Sequence, residues 1–423
     1  MSPQRFQAPR GTSDILPSEQ KYWRLFEDKA SELADIFGYE RIDTPTFEDA
    51  DLFVRGTGES TDIIEKETYT FEDRGGDSIT LRPEGTPPVC RAYLQSGMHN
   101  LPQPIRLYYH GSFFRYDRPQ AGRYRELHQF GIEIIGDSSA YADVEVIEVA
   151  WRLLKSLEIH DATILLNSIG DQQCRPDYIE NLQSYYRSRA NMLVHEDCKR
   201  RLETNPLRLL DCKEDTCQTL IADSPGAIDY LCKDCMAHWD SLVSHLERLD
   251  IAFEIDKRLV RGLDYYTRTV FEMVPPIEGQ QSTVVAGGRY DGLMEDLGGQ
   301  PTPAIGFGMG IDRVITNMKR LEVSPPQKVH RTKIVVAHIG AAALKTGLTL
   351  SSNLRINGIS AILAPAERSL KSQMKYASAV DATHVVIIGD VELGRGVFVV
   401  RDLVKSKQIE VSSEVALEHL RTL

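Results

Sequence analysis

Residues 111–136 read GSFFRYDRPQAGRYRELHQFGIEIIG, two runs of aromatic and β-branched residues around a polar loop. That pattern predicts a long hairpin, with four arginines, Arg115, Arg118, Arg123 and Arg125, gathered about its turn. Side chains alternate along a strand, so Gln129, Gly131 and Glu133 share one face while His128, Phe130, Ile132 and Ile134 share the other. Gly131 leaves an opening between two polar groups that stand roughly 13 Å apart at ~3.3 Å per residue, enough for the two ends of one small polar ligand. Arginine on the partner strand suits a phosphate, because the guanidinium fork meets two of its oxygens at once. A solvated amphipathic hairpin would carry the same charges, so the stretch alone leaves both readings open.

The rest of the chain sets bounds on this site. At 423 residues it exceeds what one core serves, which predicts two or three domains. A 42% hydrophobic and 26% charged composition argues against disorder. No stretch reaches the ~18 to 20 apolar residues of a membrane span, and Met1–Gly11 lacks the apolar run of a signal peptide. With seven cysteines, an odd number, the expectation is reduced thiols in the cytoplasm. Net charge is −12 overall, yet from Lys328 onward 13 basic face 8 acidic residues, a tail of +5 behind a body of −17.

N-terminal to the hairpin, Ser18–Phe37 has the 3.6-residue apolar period of an amphipathic helix, followed by an extended Gly38–Pro45. Thr68–Phe71 and Ser78–Leu81 flank an Arg74-Gly75-Gly76-Asp77 turn. They lead into Arg82-Pro83-Glu84-Gly85-Thr86, where a carboxylate and a hydroxyl at a strand end suit an ammonium group. Thr86 before Pro87 also reads as an ordinary helix start.

C-terminal to the hairpin, Tyr141–Glu158 predicts a helix and Ala162–Ile169 a strand. Residues 170–250 then turn helical and hold six of the seven cysteines. Cys212-x4-Cys217 and Cys232-x2-Cys235 have spacings compatible with a four-cysteine zinc site. The loose first spacing favours buried free thiols instead, and His195 and His238 read as surface histidines. Leu259–Met273 alternates as a strand that opens on Arg261, Gly262, Asp264, Tyr265 and Tyr266, polar groups that need either a pocket or solvent. Thr283–Ala286 enters a glycine-rich turn, 287–292. In Pro303–Asn317 the residues Gly306, Gly308 and Gly310 share a face open to a flat ring or a phosphate chain, or to close packing, ahead of Arg313.

Jointly these stretches resemble the class II aminoacyl-tRNA synthetases, and among them the bacterial type of the histidyl-tRNA synthetase family, over essentially the whole length. Gly38–Pro45 resembles the first class motif, Phe114–Glu133 the second and Ala304–Val314 the third. Arg261–Tyr266 and Ala286–Tyr290 resemble the two signatures peculiar to the histidine enzymes.

The resemblance implies an α+β catalytic core, an antiparallel sheet with flanking helices, formed by residues 1–169 and 251–323. It also implies a helical insertion at 170–250 and a C-terminal α/β anticodon-binding domain at 330–423, for which the +5 charge suits RNA phosphates. Further implications are a homodimer, L-histidine, ATP with Mg2+ and tRNA(His) as ligands, and activation of histidine as its adenylate before transfer to tRNA. No protein ligand set for Mg2+ follows.

By the same resemblance, Arg115 and Arg261 hold the α-phosphate from two sides, and Arg123 and Arg313 lie along triphosphate and adenine. Glu84, Thr86 and Gln129 take the ammonium and carboxylate end of histidine, and Glu133, Tyr265, Tyr266 and Tyr290 enclose its imidazole. Arg118 and Gln120 approach the tRNA acceptor end. Two positions depart from the family pattern: Asp117 stands where Glu is usual, and Leu127 where Phe usually stacks on adenine. The other function compatible with this fold is a catalytically silent regulatory subunit of ATP phosphoribosyltransferase. Such paralogues commonly lose the histidine signatures and the anticodon domain, both retained in this chain.

Overall fold

The hairpin is present and begins earlier than residue 111. A computed structural model describes residues 6–58, 61, 63–117, 122–276, 283–325 and 332–423. The chain divides into two units, Met1–Pro325 and Pro326–Leu423.

In the first unit, helix α1 (Gln20–Ile36) leads to strand β1 (Glu40–Arg41). Next come β2 (Phe47–Asp49), helix α2 (Ala50–Thr57), β3 (Tyr69–Glu72) and β4 (Ser78–Leu81), whose strands form a small sheet, and helix α3 (Thr86–Gln95). The hairpin is β5 (Ile105–Phe114) and β6 (Glu126–Ile135), followed by α4 (Ala140–Ser156) and β7 (Thr163–Ser168). Helices α5 (Arg175–Arg187), α6 (Glu196–Thr204), α7 (Asp215–Ala222) and α8 (Lys233–Arg248) make up the insertion. The unit ends with β8 (Glu254–Ile255), β9 (Thr267–Val274), β10 (Val285–Arg289), α9 (Leu293–Asp296), β11 (Ala304–Gly310) and α10 (Ile311–Arg320).

Eight strands form one sheet in the order β1-β5-β6-β11-β10-β9-β7-β8. Its six central strands are antiparallel, whereas β1 and β8 join the two edges in parallel, so the sheet is mixed rather than wholly antiparallel. The alternation along β6 divides a dry core from a polar face. Phe130, Ile132 and Ile134 pack with Trp23 and Phe26 of α1, Leu153 of α4 and Leu242 of α8. Each such side chain, once fully buried, contributes about 1.5–3 kcal/mol. On the other face, Tyr109 and Phe113 of β5 pack with Tyr265, Tyr266 and Tyr290.

Two local expectations are corrected. Strand β9 starts at Thr267, so Leu259–Tyr266 is loop. Its backbone is held by side chains instead of a ladder: Asn167 Nδ2 donates to Leu259 O at 2.8 Å, and Arg175 Nη2 to Tyr266 O at 2.6 Å. Glycine at 131 leaves no opening for a ligand, because a Cβ there would strike the Tyr109 ring.

The second unit is an α/β domain with strands β12 (Lys333–Ile339), β13 (Ser360–Leu363), β14 (His384–Gly389), β15 (Val397–Asp402) and β16 (Lys407–Ser412), ordered β13-β12-β14-β15-β16. Helices α11 (Ala341–Ile356), α12 (Leu370–Ala379), α13 (Asp390–Gly394) and α14 (Ala416–Arg421) complete it. Strand β16 has Val411 as its one buried side chain, so it lacks the apolar run that marks the other strands. Among the described residues no helix is long and apolar enough to cross a membrane.

Candidate active site

The polar face of β6, the Arg261–Tyr266 loop and part of the insertion enclose a cavity of about 650 Å3. Glu84, Thr86, Arg115, Arg123, Gln129, Arg261, Tyr265, Tyr266 and Arg313 all line it. Pro83 and Gly85 shape the turn that ends at α3, and this places Glu84 and Thr86 at the cavity wall.

At the carboxyl-rich part, Glu84 accepts hydrogen bonds from Thr57 Oγ1 at 2.6 Å and from the Tyr265 hydroxyl at 2.8 Å. Glu133 and Tyr290 do not line the cavity but stand one layer behind it. There the Tyr290 hydroxyl donates to Glu133 Oε2 at 2.5 Å, and Thr86 Oγ1 to Oε1 at 2.8 Å. Rings of Tyr265 and Tyr266 lie 4.6 Å apart, those of Tyr265 and Tyr290 5.8 Å apart. Burial raises the pKa of Glu84 and pushes that of Glu133 up to about 8, the hydroxyl hydrogen bonds offsetting only part of the shift. Glu133 is therefore mostly protonated at neutral pH.

At the basic part, Arg115 Nε donates to Pro83 O at 2.9 Å. Arg123 pairs with Asp117 at 3.2 Å, so the shorter acid still reaches its arginine. Arg313 donates to Gly122 O at 3.0 Å and Thr283 O at 2.8 Å. Burial, together with the charges of Arg115 and Arg123, lowers its pKa. Three cations gathered at one part of the cavity make a site for an anion of several charges. Arg261 is ion-paired with Glu272 on β9, and Glu272 also accepts from Thr283 Oγ1 at 2.8 Å.

Several placements differ from the sequence reading. Gly308 and Gly310 line the cavity, but the space beside Gly306 is filled by the Glu133 carboxyl, so the three glycines do not form one bare surface. Arg289 is buried outside the cavity. It binds Asp143 of α4 at 3.0 Å and the carbonyls of Asp137 and Ser139 at 2.8 and 2.9 Å, which fastens α4 to the sheet. Glu272 and Tyr109 were not anticipated as cavity residues; an acid between Phe271 and Met273 was the available signal for the first. Leu127 lines the cavity too, whereas Arg118 and Gln120 lie outside the described residues.

The cysteines do not form the single four-cysteine group. Cys212 and Cys217 gather with His195 and Cys198, while Cys232 and Cys235 gather with Asp171 and Cys174. Spacing shows which cysteines are near in sequence, not which pairs the fold brings together. Neither histidine is a free surface group: His238 Nε2 lies 2.7 Å from buried Asp143, and His195 Nδ1 lies 3.3 Å from Cys198 Sγ.

Residues 11–314 match a family model for histidyl-tRNA synthetase, and residues 333–423 one for an anticodon binding domain. The chain is 52% identical over 406 residues to the histidine–tRNA ligase of Dehalococcoides mccartyi, spanning 96% of this chain and 97% of that one. It is 44% identical over 418 residues to that of Caldicellulosiruptor saccharolyticus, spanning 99% of each. The crystal structure of apo histidyl-tRNA synthetase from S. aureus superposes with a TM-score of 0.81 at 33% identity, over 99% of this chain and 100% of that one. A Bacillus halodurans structure described as an ATP phosphoribosyltransferase regulatory subunit/histidyl-tRNA synthetase has a TM-score of 0.65 at 23% identity, over 92% of this chain and 99% of that one, a likeness of fold. With its motifs, its sheet and both of its units matched, the chain belongs to the histidyl-tRNA synthetase family of class II aminoacyl-tRNA synthetases.

Proposed function

We propose that the chain is a histidine–tRNA ligase acting in the cytoplasm as a homodimer. The observation that carries this reading is one cavity that joins a buried carboxyl and tyrosine cluster to Arg115, Arg123, Arg261 and Arg313. Glu84, Thr86 and Gln129 hold the ammonium and carboxylate of histidine. The imidazole lies toward Tyr265 and Tyr266, with Glu133 and Tyr290 beneath it. ATP lies along Arg123 and Arg313, with Leu127 giving adenine an apolar support, and Mg2+ enters with the nucleotide, its ligands mostly phosphate and water oxygens.

In the first step a histidine carboxylate oxygen attacks the α-phosphorus, the bond to the bridging oxygen breaks, and pyrophosphate leaves. Arg115 and Arg261 offset the charge that gathers on the α-phosphate oxygens, from positions fixed by Pro83 O and Glu272. In the second step a terminal ribose hydroxyl of tRNA(His) attacks the acyl carbon and AMP leaves, with Arg118 and Gln120 at the acceptor end. The second unit takes the anticodon. Domain limits follow the same reading: catalytic core at 1–169 and 251–323, insertion at 170–250, anticodon-binding domain at 330–423. For the dimer, the edge position of β1 and the exposed Ile36 and Phe47, which precede and follow it in the chain, offer a surface.

The test is histidine-dependent exchange of pyrophosphate into ATP, followed by charging of tRNA(His). Both are expected. A folded chain without exchange would overturn the enzyme reading and fit a silent regulatory subunit instead.

A further inference from the structure

Six of the seven cysteines lie in the insertion, where the fold sorts them into two tight groups. In the first, His195 Nδ1 is 3.3 Å from Cys198 Sγ and 3.6 Å from Cys212 Sγ, and Cys217 Sγ is 3.7 Å from Cys198 Sγ. In the second, Asp171 Oδ1 is 3.6 Å from Cys174 Sγ, with Cys232 and Cys235 completing the set. Within each group all four donor atoms lie within 4.8 Å of one another. A tetrahedral ion with bonds of about 2.3 Å to sulfur and about 2.0 Å to nitrogen has donor-to-donor edges of roughly 3.3–3.8 Å, and the three distances of 3.3, 3.6 and 3.7 Å in the first group fall in that range. A sulfur pair at 3.7 Å is not a disulfide, whose S–S bond is about 2.05 Å.

We propose that the insertion binds two structural zinc ions, one at His195, Cys198, Cys212 and Cys217, the other at Asp171, Cys174, Cys232 and Cys235. Thiolate-rich donor sets select zinc over magnesium or calcium, and four protein donors close the coordination sphere, as a structural site requires. Donors come in close sequence pairs, with two residues between members in three of the pairs and four in the other.

The positions give each ion a task. The first ties the start of α6, the segment after Leu209 and helix α7 around a small core of Tyr178, Leu182, Leu202 and Leu220. Because His195 and Cys212 also line the large cavity, this ion shapes its insertion wall. The second ties Cys174 at the start of α5 to Cys232 at the start of α8, the helices by which the chain leaves and rejoins the sheet. Asp171 also meets Arg268 of β9 at 3.3 Å, which links that ion to the sheet itself.

Elemental analysis of the full-length chain, purified without a metal-affinity tag, tests this directly. Two zinc ions per chain are expected, exchangeable for Co2+ with thiolate charge-transfer bands and the strong visible absorption of a tetrahedral site. The pair Cys198→Ser with Cys217→Ser and the pair Cys174→Ser with Cys235→Ser should each reduce the content to one. Fewer than two ions after reconstitution of the reduced chain with zinc overturns the proposal, as does retention of two in either double variant. Alkylation of the unsubstituted chain, mapped by mass spectrometry, keeps the test independent of variant folding. Zinc should protect the six insertion cysteines and a chelator expose them; equal labelling with and without zinc overturns the proposal.

Discussion

At Glu133 the sheet buries a carboxyl completely, and that burial raises its pKa from about 4.5 to about 8. The folded chain then holds a proton that the unfolded chain releases across this window, so stability falls as pH rises from about 4.5 to about 8. Glu133→Gln removes the titration. Urea unfolding at pH 5 and pH 8 should show a pH-dependent loss smaller in the variant by about 2–4 kcal/mol, and equal slopes would show that another group is responsible. Glu272 acts differently, by holding Arg261 through an ion pair and meeting Thr283 as well. We expect Glu272→Gln to slow pyrophosphate exchange by about 10- to 100-fold with little change in KM for histidine, because a loosened guanidinium stabilises the transition state less. A rise in KM alone would place Glu272 in ground-state binding instead.

At the scale of the element, β11 carries two glycines with opposite tolerances. A Cβ at Gly306 would run into the Glu133 carboxyl and the Ile132 carbonyl, whereas one at Gly308 would meet Gln129 Oε1 at an ordinary 3.7 Å. Gly306→Ala should therefore cost about 1–3 kcal/mol and weaken histidine binding, while Gly308→Ala leaves stability nearly unchanged. Thermal unfolding of the two variants checks the contrast, and equal losses would count against it. Alternation made β6 and both of its faces legible from sequence, because period two survives wherever the two sides of a strand meet different surroundings. Filling of space across strands was not legible: nothing near Gly131 announces that Tyr109, on β5, occupies the gap beside it. Likewise the Leu259–Tyr266 segment imitates a strand in composition, yet side chains from Asn167 and Arg175 hold its two ends as loop.

For the whole molecule, the two units separate at Pro325, and only the first holds the cavity. A chain ending at residue 325 should keep histidine-dependent exchange and lose most tRNA charging; equal loss of both activities would mean that the second unit is needed for the chemistry. The motifs placed the core, the insertion and the tail in order because each is a local pattern. The partition of six cysteines was hidden because it depends on how four helices fold back on one another. That folding back has a topological result. The insertion leaves after β7 and returns as β8 on the same sheet edge, with Leu165 opposite Glu254, three residues before β7 ends. Its two ends are thus about 10 Å apart, and the sheet experiences the intervening chain as a single closed loop. Doubling the length of such a loop would cost only about 0.6 kcal/mol in closure entropy, so this edge can carry appendages of very different size while the strand register beneath stays the same.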